Sequence, residues 1–226
     1  MTGYPGSMLW ALVTTTAIAG LGPATAIHDA GSLRISAEIS GEQNLADNKP
    51  FRLPTRSIRL DTVLLDGFGF FADANWTSGN DNNQRLRGWG FGVGTRGHFL
   101  PQRLVGLGIQ ISGTYCTNWL LDDDDALDEM YRLLRFRGAT TIIVGRDGIH
   151  GWAGLRATTT LIDNVVDNDA GMQFGGEWPV GMVLGTEFVS NNLIGPGSQR
   201  QLKAHIGAEF HVIGLMGFSL WTGLAF

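Results

Sequence analysis

Few residue runs in this sequence have the types and spacing that chemistry requires, and the strongest is a tract of four aspartates. Clustered carboxylates suit the oxygen preference of Ca²⁺ or Mg²⁺, so the run Asp122-Asp123-Asp124-Asp125 is a weak candidate for a metal site. The Asp-x-Asp-x-Asp-Gly spacing of a calcium-binding loop is absent. We therefore favour a solvated acidic loop, since charge runs are usually exposed.

If the protein is an enzyme, histidines are its candidate catalytic residues, and these are His98, His150, His205 and His211. A histidine–carboxylate pair beside a serine such as Ser219 can in principle support acyl transfer. His205 and His211 fall on one predicted strand, about 20 Å apart at roughly 3.3 Å per residue, so no single site can use both. We find no serine–histidine motif and prefer polar packing inside the fold, so no catalytic or cofactor-binding residue is predicted.

The elements that position these residues are predicted to be strands. Glycine accounts for 33 of the 226 residues, and each glycine inside a helix costs about 1 kcal/mol relative to alanine. Charged residues make up 16% of the chain and the net charge is −5, which argues against a nucleic-acid partner. The single cysteine, Cys116, has no disulfide partner and no metal-ligand companion at zinc spacing. Composition and length predict one all-β domain.

Alternation with period two runs through the sequence from residue 27 onward. Along 202–212 one face is apolar and the other carries charge and glycine, and 172–188, 89–96 and 33–40 show the same split. Successive side chains of a strand point to opposite faces. A soluble sandwich favours Lys, Glu and Thr on its solvent face, whereas glycine and arginine dominate the polar face here. A closed membrane barrel explains this pattern, because its apolar side chains face lipid and its polar ones face a narrow lumen.

Charges that point into such a lumen must be paired, because an isolated buried charge is too costly to keep. Glycine on the same face relieves crowding in a small barrel. The alternation brings both signs to the inward face, and we predict lumen ion pairs among Arg34, Glu38, Arg59, Asp61, Asp73, Arg135, Arg137, Arg156, Glu177, Glu187, Lys203 and Glu209.

Turn signals divide the chain into strands joined by short turns and longer polar loops. Asp66-Gly67 marks a tight hairpin turn, and polar loops are predicted over 78–84, 120–130 and 163–171. The fold class predicted is an all-β, closed antiparallel up-and-down transmembrane β-barrel of eight to ten strands. Ten strands are preferred, at 32–41, 57–65, 68–77, 85–98, 103–117, 131–145, 149–162, 172–189, 201–212 and 217–226.

The N-terminus is predicted to be a secretory signal peptide over residues 1–26, which leaves 27–226 as a single barrel domain. The first 28 residues carry no charged side chain, their apolar stretch is short, and Ala24-Thr25-Ala26 offers a cleavage site before Ile27. No Lys or Arg precedes the apolar stretch, which is the one element of such a signal that is missing.

The terminal stretch Gly217–Phe226 resembles the closing strand of bacterial outer-membrane β-barrel proteins. In that family the barrel assembly machinery reads a C-terminal aromatic residue preceded by alternating apolar residues, and Phe218, Leu220, Leu224 and Phe226 match those positions. The resemblance implies a bacterial outer-membrane location, with membrane lipid and the assembly machinery as partners. We further expect a monomer that needs no cofactor.

A structural or surface-interaction role is the function we expect, because a barrel of eight to ten strands is too narrow for a porin-like channel and allows at most a narrow pore. One alternative is a barrel enzyme acting on lipid or peptide, with His98 and His150 among its candidate residues. Another is a secreted lipocalin-like barrel that binds an apolar ligand. That alternative requires Trp89, Phe91 and Phe210 to point inward, so their orientation separates it from the membrane barrel.

Overall fold

The described structure consists of strands and the turns that join them. No helix among these residues is long and apolar enough to cross a membrane. The computed structural model describes residues 31–43, 55–81, 84–100, 104–121, 127–146, 148–164, 173–174, 180–194, 201–213 and 216–226. Their strands are β1 (Leu33–Gln43), β2 (Thr55–Leu65), β3 (Phe68–Asp81), β4 (Gln84–Phe99), β5 (Val105–Leu121), β6 (Leu127–Arg146), β7 (Ile149–Asn164), β8 (Gln173–Phe174), β9 (Val180–Val189), β10 (Lys203–Ile213) and β11 (Met216–Ala225).

Ten long strands close into a ring. Each strand from β1 to β6 pairs antiparallel with the strand that follows it in the chain. β7 then pairs with β9, and β11 pairs with β1, which closes the ring. At the closure the backbone N–H of Phe226 donates to the carbonyl of Leu33 at 2.9 Å, and the N–H of Leu33 donates back at 3.1 Å. The predicted all-β, closed antiparallel barrel of ten strands is confirmed.

Strand β8 is a short segment that pairs with the same strand, β7, as β9 does. It consists of Gln173–Phe174, while β9 begins at Val180. Both segments belong to the strand predicted over 172–189, and residues 172 and 175–179 of that prediction lie outside the described residues.

Side chains alternate between the inside and the outside of the barrel. In β2, every second residue from Thr55 to Val63 is buried. The aromatic side chains of Trp89, Phe91 and Phe210 point outward, with relative exposures of 50%, 52% and 54%. The outward face is apolar and the interior is charged, which contradicts the lipocalin-like alternative.

The two rims of the barrel differ in their connections. We call the rim that carries Gly31 and Phe226 the terminal rim, and the opposite one the distal rim. Two hairpin turns of the terminal rim contain glycines with positive φ, 78° at Gly67 and 86° at Gly148. Glycine adopts this conformation without steric cost, so the hairpin predicted at Asp66-Gly67 is present.

Strand pairing at the distal rim extends further than the sequence predicts. β3 continues to Asp81 and β4 starts at Gln84, so the loop predicted over 78–84 is wrong at both of its ends, while 82–83 lie outside the described residues. β6 likewise starts at Leu127, inside the loop predicted over 120–130. The added pairs satisfy backbone N–H and C=O groups with each other, which outweighs the turn preference of the asparagines and glycine.

Candidate functional site: the charged interior of the barrel

The interior of the barrel collects arginines and carboxylates from most of the strands. The alternation of each strand delivers every second side chain to the lumen. The two signs nearly cancel, as burial of charge requires. Among the described residues the buried set comprises six arginines and five carboxylates: Arg34, Arg59, Arg96, Arg135, Arg137 and Arg156 with Glu38, Asp61, Asp73, Glu187 and Glu209.

Asp61 joins two arginines from different strands. It stands opposite Arg34 in the β1–β2 register, and its Oδ2 accepts a hydrogen bond from Arg34 Nε at 2.9 Å. Its Oδ1 lies 3.1 Å from Nη2 of Arg96 on β4. All three side chains are buried. Two arginines around one carboxylate leave a surplus of positive charge. A second carboxylate, which contacts Arg34, offsets it.

That second carboxylate is Glu187, which links β9 to β1, β10 and β11. Its Oε1 lies 3.2 Å from Arg34 Nη1, 3.1 Å from His205 Nδ1 and 3.3 Å from Trp221 Nε1. Hydrogen bonds to an ionised group are strong in a low-dielectric interior. Arg34 thus bonds both its neighbour Asp61 and a carboxylate three strands away around the ring.

Two stacked tryptophans accompany these carboxylates inside the lumen. The rings of Trp152 and Trp221 have centroids 5.9 Å apart and an interplanar angle of 29°. Trp152 Nε1 donates to Oε2 of Glu209 at 3.1 Å, and Oε1 of Glu209 lies 3.0 Å from Nε2 of His211. The indoles therefore add bulk to the interior while their N–H groups satisfy buried carboxylates.

Glycine makes room for the two indole rings. Gly185 stands opposite Trp152 and Gly207 stands opposite Trp221 in the strand registers. A Cβ at either glycine would overlap the facing ring. A Cβ at Gly138, on the outward face, would meet nothing within 4 Å. At the two inward positions the glycine is required by the close approach of a ring to the backbone.

A looser group forms around Arg59 on β2. Its Nη2 lies 3.5 Å from Oδ2 of Asp73 and 4.0 Å from Oε2 of Glu38. The guanidinium carbon stands 4.6 Å from the centroid of the Phe71 ring, a cation–π distance. Asn75 donates to the other oxygen of Asp73 at 3.4 Å. Ion pairs, a cation–π contact and a hydrogen bond from an amide together hold this group.

Four further members of the predicted ion-pair set lie in other parts of the barrel. Arg135 and Arg137 on β6 and Arg156 on β7 are buried, and each interacts with neighbouring groups. Lys203 is half-buried at the terminal rim. Glu177 lies outside the described residues.

The sequence prediction omits Arg96 and Trp152 from this network. Arg96 shares the face of Gly92 and Gly94 on β4, so the alternation signal alone places it in the lumen. Trp152 carries a weaker signal, because a large aromatic residue on a barrel strand suggests the lipid side. Trp152 and Arg156 are an even number of residues apart on β7, so their side chains point to the same side of the strand. Only this relation identifies the inward orientation of Trp152.

Ser219 does not form the contact with histidine that acyl transfer requires. The Ser219 hydroxyl is fully buried and has no hydrogen-bond partner among the described residues. His205 and His211 contact carboxylates instead. His98 and His150 are also buried in the lumen, on the strand ends nearest the terminal rim.

Metal ligation finds no support in the described ranges. No group of three or more His, Cys, Asp or Glu side chains within them is placed to hold a metal ion. The run Asp122-Asp123-Asp124-Asp125 lies outside the described residues. Cys116 is buried in the lumen, with its Sγ 3.8 Å from Oδ1 of Asn75.

The predicted assembly-signal residues form part of the apolar outer surface. Phe218, Leu220, Leu224 and Phe226 all point outward and are exposed. They belong to the closing strand β11 and the residue after it, which complete the ring against β1.

No protein-family model and no curated protein matches the sequence. Solved structures do resemble the barrel. The translocator domain of the autotransporter NalP from Neisseria meningitidis matches with a TM-score of 0.56 at 12% identity, covering 91% of each chain. The transport unit of the autotransporter AIDA-I from Escherichia coli matches with a TM-score of 0.54 at 13% identity, covering 97% of each chain. These are bacterial outer-membrane barrels, and this chain has their fold.

Proposed function

We propose that the chain is an integral protein of the bacterial outer membrane, with its terminal rim toward the periplasm. The observation that carries this proposal is the inverted distribution of side chains, apolar outside and charged inside. A transmembrane barrel shows this distribution, whereas in water so much exposed apolar surface would drive aggregation. The fold shared with outer-membrane barrels supports the location.

Export and assembly complete the proposal. Residues 1–26 would act as the signal peptide, and residues 27–226 would form a monomeric barrel in contact with membrane lipid. The exposed side chains of the closing strand would be read by the barrel assembly machinery, namely Phe218, Leu220, Leu224 and Phe226.

For the assembled barrel we infer a structural or surface-interaction role, with at most a narrow pore. The Arg34–Glu187 contact joins β1 to β9 through the interior, and the stack of Trp152 on Trp221 adds bulk beside it. The similar structures are described as a translocator domain and as a transport unit. A polypeptide that crossed this barrel would have to displace buried ion pairs, so a closed lumen is the state that the geometry favours.

Gel mobility and conductance test the two parts of the proposal. Refolded into phosphatidylcholine bilayers, the barrel should migrate differently on a denaturing gel before and after heating, and planar-bilayer recordings should show at most a small conductance. Replacing Trp152 and Trp221 by alanine should raise the conductance, while alanine at the outward Trp76 and Trp89 should not. A chain that folds and stays soluble without detergent would contradict the membrane location, and a porin-like conductance of the wild type would contradict the closed lumen.

A further inference from the structure

The outward surface changes character toward the distal rim. Three adjacent cross-strand rows on β2–β6 show the change, going from a row without charged side chains to two rows that carry arginine beside tryptophan. In that order the rows contain Ile58, Ala74, Phe91, Tyr115 and Leu134; then Arg56, Trp76, Trp89, Thr117 and Arg132; then Ser78, Arg87, Trp119 and Met130.

We name Arg87, Trp89, Trp119 and Arg132 the arginine–tryptophan cluster. Arg87 stands opposite Trp119, and Thr117 stands between Trp89 and Arg132. The two arginines lie on β4 and β6, so roughly 10 Å separates their backbones across the sheet and about 7 Å along it. Two flexible side chains at this separation can reach the same headgroup.

Both arginines of the cluster are exposed. The arginines of the lumen around Asp61, by contrast, form ion pairs with carboxylates. Arg87 has Ser78 and Trp119 as its cross-strand neighbours, whereas Arg132 stands opposite Asp163. Arg87 is therefore the principal cation of the cluster, and Arg132 adds to it.

We propose that the arginine–tryptophan cluster binds the phosphate group of a lipid in the outer leaflet, an inference that rests on the proposed outer-membrane function. Guanidinium groups bond phosphate oxygens in a bidentate way. Tryptophan rings occupy the headgroup level of a bilayer. The apolar row directly below the cluster continues toward the terminal rim as the surface that meets acyl chains. A soluble anion would make no contact with that apolar row, whereas the acyl chains of a lipid would. The occupant is therefore a phospholipid or phosphorylated glycolipid.

The test uses the whole barrel in phosphatidylcholine nanodiscs that contain or lack diphosphoryl lipid A. The variants are Arg87→Gln, Arg132→Gln and the double variant. Arg146→Gln is the matched control, because Arg146 is an exposed arginine at the terminal rim. Native mass spectrometry counts the lipid A molecules retained after exchange into detergent. We expect the double variant to retain lipid A at least about tenfold more weakly than wild type, as loss of charge-assisted bonds implies, with Arg87→Gln the more severe single change and Arg146→Gln unchanged.

Three results would overturn the inference: equal retention by wild type and double variant, equal retention of dephosphorylated lipid A, and binding of inorganic phosphate as strong as that of the lipid. Failure of the proposed function would appear earlier and separately. The wild type would then form no heat-modifiable barrel in nanodiscs of phosphatidylcholine alone, before any lipid A is present.

Discussion

Replacing Glu187 by glutamine should destabilise the barrel by about 3 kcal/mol. The Glu187 side chain is 1% exposed, and its Oε1 lies within 3.3 Å of donors on Arg34, His205 and Trp221. Removing one partner of a buried ion pair costs about 3–5 kcal/mol. The lower end applies, because Arg34 keeps its 2.9 Å bond to Asp61 and glutamine retains an oxygen that can accept from Trp221.

Equilibrium urea unfolding in phospholipid vesicles, followed by tryptophan fluorescence, measures the free energy of unfolding. Asp66→Asn is the matched control, since it removes a carboxylate from an exposed turn and should change stability by less than about 0.5 kcal/mol. Adding Arg34→Met and the double variant completes a double-mutant cycle. Its coupling energy should lie at about 0.5–3 kcal/mol.

A loss below about 0.5 kcal/mol for Glu187→Gln would refute the reasoning, because the contact would then contribute no more than a surface ion pair. A coupling energy of zero with Arg34 would refute it as well, since the two side chains would be energetically independent despite their 3.2 Å contact.

Three further predictions concern packing, assembly and export. Gly185→Ala should destabilise the barrel by about 1–3 kcal/mol, because its Cβ overlaps the Trp152 ring, while Gly138→Ala should leave the unfolding free energy within about 0.5 kcal/mol; equal effects in urea unfolding would contradict the close approach. Phe226→Ser should lower the amount of folded barrel in the outer membrane of expressing cells but leave refolding into detergent intact, and unchanged cellular levels would argue against the assembly signal. N-terminal sequencing of the membrane-extracted protein should begin at Ile27, and an intact leader would rule out the proposed cleavage.

Much of the architecture can be predicted from sequence because alternation is a local property. The parity of each strand fixes which side chains face out, so Trp89, Phe91 and Phe210 are assigned correctly without knowledge of any partner strand. Strand ends are harder, because backbone pairing at the distal rim continues through the polar residues of 78–81. Turn-forming residue types therefore mark where a chain can turn, and pairing decides where it does.

The partners within the lumen cannot be predicted in the same way. Arg34 and Glu187 are 153 residues apart in sequence, and they meet only because closure and stagger of the ring bring β1 and β9 to one height. Arg96 is a second example. Alternation predicts that its side chain points inward, but it does not predict the contact with Asp61. The position of a charged residue in the alternation predicts that it faces the lumen. The three-dimensional stagger of the strands determines which residue becomes its partner.

Spin-label accessibility at Phe91 and Phe210 tests most directly whether the aromatic face of the barrel meets lipid. Each residue is replaced by cysteine in a Cys116→Ala background, labelled, and measured in bilayers against oxygen, which concentrates in lipid, and against a water-soluble nickel complex. Because both side chains are more than half exposed outside a closed ring, we expect high accessibility to oxygen and low accessibility to nickel. High nickel accessibility at both positions would contradict the membrane barrel.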